Sequence, residues 1–117
     1  MTWTELAANG VHLIALSGDI DLQHSPKLRQ LLQAKAGQQV PVLLLDFTDV
    51  NYIDSSGLAT LVEYYQKSRP YSGRIAMAGL SNRVRSVFDL VRLSEIFSIY
   101  PSIAEARQGL GLPAFHG

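Results

Sequence analysis

The chain has 117 residues, 47% of them hydrophobic and 17% charged, which is the size and balance of one globular domain rather than a disordered segment. Ten Lys and Arg offset ten Asp and Glu, so no bulk field draws it to nucleic acid or anionic lipid, and direct nucleic-acid binding is not expected. Without cysteine there is no disulfide or thiolate metal site, and no apolar run approaches the roughly 20 residues of a membrane span.

MTWTELAANG lacks the basic and apolar regions of a signal peptide, so a cytoplasmic location is the default expectation. Residues 2–7 and 11–17 read as strands flanking Asn9-Gly10, a dipeptide suited to a type I′ hairpin turn. The second run, VHLIALS, is apolar on nearly both faces and stops at a small acidic loop, Gly18-Asp19-Ile20-Asp21. Ser25-Pro26 suggests an N-cap followed by proline at the first helical position. Leu28, Leu31 and Leu32 then form the apolar stripe of a helix that Gly37 closes.

Pro41 opens VLLLDF, whose continuous apolarity is that of a strand covered on both faces. Beyond the polar interruption Asp54-Ser55-Ser56-Gly57, the residues Leu58, Leu61, Val62 and Tyr65 repeat at helical spacing. RIAMA between Gly73 and Gly79 is a further strand. Ser81 can cap a third helix with the stripe Val84, Val87, Phe88 and Val91. Residues 96–100 form a short last strand, and Ser102-Ile103-Ala104-Glu105 is a capping box for a terminal helix. The domain is expected to span 1–109, with a loose tail over 110–117. The order β-β-α-β-α-β-α-β-α predicts an α/β fold: a single mixed sheet with an opening hairpin and helices from crossover connections. Arg83, Arg85 and Arg92 lie close together and are expected to be a solvated helix face.

DSSG therefore falls at a strand-to-helix junction, where three uses compete. Asp and Ser are preferred N-caps, but one would suffice where three stand in a row before a glycine. A nucleophilic serine needs a base and a group to orient it. Here the G-x-S-x-G elbow is absent, and none of His12, His24 and His116 is marked as that base, so no catalytic residue is assigned. Finally, a serine in the first turn of a helix can itself be phosphorylated, because free N–H groups and the dipole accept the phosphate. A partner docked there would be repelled, all the more if Asp19, Asp21 and Asp54 line the same surface.

The stretch VLLLDFTDVNYIDSSGLA (42–59) resembles the signature of the STAS family, in particular its single-domain bacterial anti-sigma factor antagonists. LSGDID (16–21) is similar to the family's Gly-acidic-apolar-Asp turn, and SNRVRSVFDLVRLSEIFSIY (81–100) to its third helix and last strand. The resemblance implies a switch. The serine after the aspartate, Ser55, would be phosphorylated by a partner that is both anti-sigma factor and serine kinase of the histidine-kinase-like ATPase fold. Unphosphorylated protein would hold that kinase and free the sigma factor, and a PP2C-type phosphatase would reset the cycle. Asp21 and Asp54 match the acidic positions beside the serine. Ser56 matches the second hydroxyl residue and is the expected structural cap; with Asp19 and Gly57 these complete the expected contact surface.

Ala59 stands where many antagonists have glycine; a helix accepts alanine at least as well, so any effect is expected on partner packing. The alternative implied by the family is a cytoplasmic scaffold subunit of an ABC-type lipid transport complex, which would not need the serine. No GxxxxGK[ST] loop is present, so no tight nucleotide site and no cofactor are expected.

Overall fold

The computed structural model describes residues 1–112. Its elements are β1 (Thr2–Ala8), β2 (Val11–Ile20), α1 (Ser25–Gly37), β3 (Val42–Ile53), α2 (Ser55–Ser68), β4 (Arg74–Ala78), α3 (Asn82–Leu90), β5 (Ser98–Tyr100) and α4 (Ile103–Leu110). Single 3-10 turns at Arg69–Tyr71 and Leu93–Glu95 complete the expected order. The opening turn has φ 53° at Asn9 and 80° at Gly10, the pair of positive angles that a type I′ turn demands.

The strands lie in the sheet in chain order, β1-β2-β3-β4-β5. β1 is antiparallel to β2, and the remaining neighbours are parallel. Each parallel strand adds on the same side of its predecessor, so right-handed crossovers place α1, α2 and α3 on one face. Side-chain alternation along β3 follows from this. Leu43, Leu45 and Phe47 join Ile14, Leu16, Leu28, Leu61 and Phe88 in the main core. Leu44 points the other way, to a smaller cluster with Ala76, Ala78 and Ala106 of α4. The VLLL run is apolar throughout because both of its faces are covered. Phe88 stands edge-on to Phe47 and Phe97, at centroid distances of 6.1 and 6.4 Å.

Several boundaries differ from expectation, each for a tertiary reason. β2 continues to Ile20 and β3 to Ile53, because Asp19 and Ile20 pair with Tyr52 and Ile53 after two register shifts. The acidic loop is therefore partly strand. Ser25 is not a cap: it is buried inside α1, and the start of that helix is held by Asp21, whose carbonyl accepts from Ser25 N–H and whose carboxylate accepts from His24 N–H. Gly37 is still helical, and the left-handed residue at this end is Gln39. The buried stripe of α2 runs through Gly57, Leu58, Leu61 and Tyr64, leaving Val62 and Tyr65 half-buried. Val91 lies just past α3 and is exposed. Ser81 and Ser102 cap α3 and α4 as expected, accepting from Val84 N–H and Glu105 N–H. α4 runs to Leu110, one residue beyond the expected domain end, and the rest of the expected tail past Leu112 lies outside the described residues. Among the described residues no helix is long and apolar enough to cross a membrane.

Candidate functional site

The ends of β2 and β3 and the starts of α1 and α2 meet at one end of the sheet. Asp54 connects them. It is the N-cap of α2, with extended backbone, and its own N–H donates to Ile20 carbonyl at 3.1 Å. One carboxylate oxygen accepts from Ser56 N–H at 2.9 Å, from Gly57 N–H at 3.3 Å and from the Ser56 hydroxyl. The other accepts from Leu22 N–H at 3.1 Å, so a single side chain ties the β2–α1 loop to the start of α2. The Ser56 hydroxyl, then the amides of Gly57, Ser56 and Leu22, hold the Asp54 carboxyl below its ordinary value of 3.8, against a smaller opposing effect of burial.

The cap is thus Asp54 and not Ser56, which was the expected one. An ionised carboxylate is the stronger acceptor for orphan amides, and the Ser56 hydroxyl is left to donate. Ser56 is half-buried, and its carbonyl accepts from Thr60 hydroxyl at 3.0 Å. Ser55, one residue earlier, is exposed and makes no side-chain hydrogen bond among the described residues. The two hydroxyls are chemically alike, yet that of Ser56 is bonded to Asp54 and that of Ser55 is exposed. Gly57 explains itself by contact. A Cβ there would lie 2.7 Å from Cγ2 of Ile20 and 2.8 Å from Cγ1 of Ile53, so α2 can enter this close to the sheet only without a side chain.

The other expected acidic residues are at the same end but act differently. Asp19 is exposed beside Tyr52 in the β2–β3 register. Asp21 turns back on its own loop and binds the His24 ring at 2.7 Å and its backbone N–H at 3.0 Å. Partial desolvation raises the Asp21 carboxyl, and the His24 contacts more than reverse this, leaving it lowered. Among the described residues it makes no hydrogen bond to Asp54 or Ser55; its part is to shape the loop.

Two residues of this end escaped the sequence reading. Leu22 is 75% exposed while its N–H is fixed by Asp54. Tyr52 is exposed with the Arg83 guanidinium over its ring at 5.7 Å. Arg83, Arg85 and Arg92 are all exposed, as expected of a solvated face; Arg83 stacks on Tyr52, while Arg85 pairs with Asp89 one helical turn on. A parity count from the buried Ile53 would have put Tyr52 on the opposite side of β3, but nothing local signals the stacking. Beside the site, an open groove of about 330 Å³ runs between α1 and α2, lined by Ser25, Pro26, Arg29, Ser56, Ala59 and Glu63 among others. Ala59, the departure noted above, is on its wall.

A family model for the STAS domain matches residues 6–106. The anti-sigma-B factor antagonist of Listeria monocytogenes is 33% identical over 86 residues, covering 74% of this chain and 75% of that one. Among solved structures, an anti-sigma factor antagonist from Mycobacterium paratuberculosis superposes with a TM-score of 0.85 at 26% identity, covering 94% of this chain and 93% of the other. The phosphorylated form of the Bacillus cell fate determinant SpoIIAA shares the fold, with a TM-score of 0.73 at 18% identity and coverage of 93% and 99%.

Proposed function

This chain belongs to the STAS-domain family, and we propose that within it the protein is an anti-sigma factor antagonist switched by phosphorylation of Ser55. It works by binding rather than by turnover. Unphosphorylated, it holds an anti-sigma factor that is also its serine kinase, of the histidine-kinase-like ATPase fold, and the sigma factor goes free. Phosphorylated, it lets the kinase go, and a PP2C-type phosphatase restores it.

The observation that carries the assignment of the serine is the contrast at the start of α2. Ser56 is engaged with Asp54 and half-buried, whereas Ser55 is exposed and unengaged in the first helical turn. A phosphate at Ser55 adds roughly 1.5 to 2 negative charges where α2 presents its positive dipole end, so the free protein tolerates it. A docked partner meets that charge together with Asp19 and Asp54, and the complex is destabilised. The known phosphorylated relative keeps the same fold, which supports a switch of contact and not of architecture. A transport scaffold would make no use of an exposed serine at this point, so the alternative has no comparable support.

Incubation with the cognate kinase and ATP is expected to add one phosphate, mapped by mass spectrometry to Ser55. Ser55→Ala is expected to bind the kinase constitutively. Ser55→Asp should bind weakly, with partial release, since it carries less charge than phosphoserine. Phosphate on Ser56, or on no residue of this segment, would overturn the assignment.

A further inference from the structure

The two edges of the sheet are guarded very differently. β5 is three residues long, as protected edges commonly are. β1 is seven residues long, every one of them exposed, and its pairing with β2 is uninterrupted from Thr2 to Ala8. It contains no proline, lysine or bulge, the usual devices against edge pairing. Trp3 is 36% exposed on the α1–α3 face, opposite Leu16, and Leu6 is 52% exposed on the α4 face, opposite Leu13.

We infer that β1 is an interaction edge whose occupant is β1 of a second copy of this chain, joined antiparallel about a two-fold axis at Glu5. The hairpin dictates the register. In a two-residue I′ hairpin the residues flanking the turn, here Ala8 and Val11, bond to each other, and hydrogen-bonded positions alternate from there. The backbone groups of Ala8, Leu6, Thr4 and Thr2 are therefore spent on β2. Those of Ala7, Glu5 and Trp3 point outward. An axis at Glu5 sets Glu5 against Glu5 and Trp3 against Ala7 of the second copy, so every outward donor meets an outward acceptor. The large Trp3 faces the small Ala7, and Leu6 faces Thr4 of the second copy in a close non-bonded pair.

The one charge of β1 would oppose this, since two carboxylates meet at the axis. Within each chain it is already neutralised. Glu5 is ion-paired to Lys35, whose side chain is only 7% exposed, and lies 3.2 Å from Nδ1 of His12. The Lys35 bond first, and His12 after it, hold the Glu5 carboxyl below its ordinary value despite some burial. The residue that would act as a gatekeeper is thus turned inward to fasten α1 to the hairpin. Such a dimer lies along the side of the sheet, with β2 between it and the strand that leads to Ser55. Both copies keep the Asp54–Ser55 end open, and the assembly would present two such ends at once.

Sedimentation of the intact chain over a range of concentrations tests this. The apparent mass is expected to double as concentration rises. Ala7→Pro removes an outward N–H and no β1–β2 bond, so this variant should stay monomeric with its fold intact by circular dichroism. Trp3→Lys, a change at an exposed site, should do the same. Amide exchange at Trp3, Glu5 and Ala7 should slow with concentration in the parent and not in the variants. A monomer at all concentrations, a dimer that both variants retain, or growth beyond a dimer would each overturn the inference.

Discussion

At Gly57 two residue-level effects have opposite signs. Replacing glycine by alanine within a helix ordinarily gains about 1 kcal/mol. Here the new methyl would meet Cγ2 of Ile20 and Cγ1 of Ile53, both on buried β-branched side chains that cannot swing aside. Overpacking of that kind costs about 1–3 kcal/mol. Gly57→Ala is therefore expected to lower the urea midpoint, opposite to the propensity trend; an unchanged or raised midpoint would show that α2 shifts freely on the sheet. Asp54 supports a second prediction, in pH. Its carboxyl titrates lower in the folded protein than its ordinary 3.8, so the unfolded chain takes up the proton first. Its contribution is then complete above the unfolded value and is lost as pH falls through the folded one. Asp54→Ala should be less stable than the parent at pH 7 by about 1 kcal/mol, as for a lost cap, with the difference narrowing below about pH 4. Denaturant titrations at a series of pH values measure it.

At the scale of the element, α2 carries the candidate site at one end and is anchored along its length. Leu58, Leu61 and Tyr64 are buried in the main core. Leu61→Ala is expected to cost about 2–5 kcal/mol, because a fully buried side chain leaves a cavity. Disturbing only the cap costs about 1 kcal/mol. Packing outweighs capping, so phosphorylation at Ser55 is expected to leave the helix in place and move the thermal midpoint by only a few degrees. Amide spectra of the two forms should differ near residues 18–24 and 51–60, where Asp54 links the β2–α1 loop to α2. Shifts spread through α3 would mean that the switch refolds the domain.

Across the whole molecule the two faces of the sheet are unequal. Three helices cover one face with a core of aliphatic and aromatic side chains that includes Phe47, Phe88 and Phe97. Among the described residues the other face has only α4, seated by Ala106 over Leu44, Ala76 and Ala78, with Leu13, Tyr100, Ile103 and Leu110 around them. Small side chains bury little area, and stabilisation scales with that area. α4 is expected to open independently of the sheet, so native-state hydrogen exchange should give its amides a lower opening free energy than those of β3. Equal values for both would show a single cooperative unit.

Local chemistry determined much of this fold directly. Asn9-Gly10 permits the I′ turn, the uniform apolarity of VLLL requires cover on both faces, and helical spacing in three segments marks the crossovers. Ser81 and Ser102 act as caps because their partners lie three residues on, within reach of any helix start. The candidate site was legible as a place and as a motif, DSSG at a strand-to-helix junction. Its division of labour was not. Asp54 outcompetes Ser56 as the cap because it also receives Leu22 N–H from a loop 32 residues away, and no local pattern encodes that bond. Ser25 loses its capping role because Asp21, placed by the extended β2–β3 pairing, bonds the same helix start. The buried stripe of α2 takes in Gly57, which packs against Ile20 and Ile53 from two separate strands, and Tyr64 in place of Tyr65. Sequence sets what lies within a turn or two of the chain. Which of several chemically equal groups is consumed and which is left free depends on neighbours brought together only by the sheet.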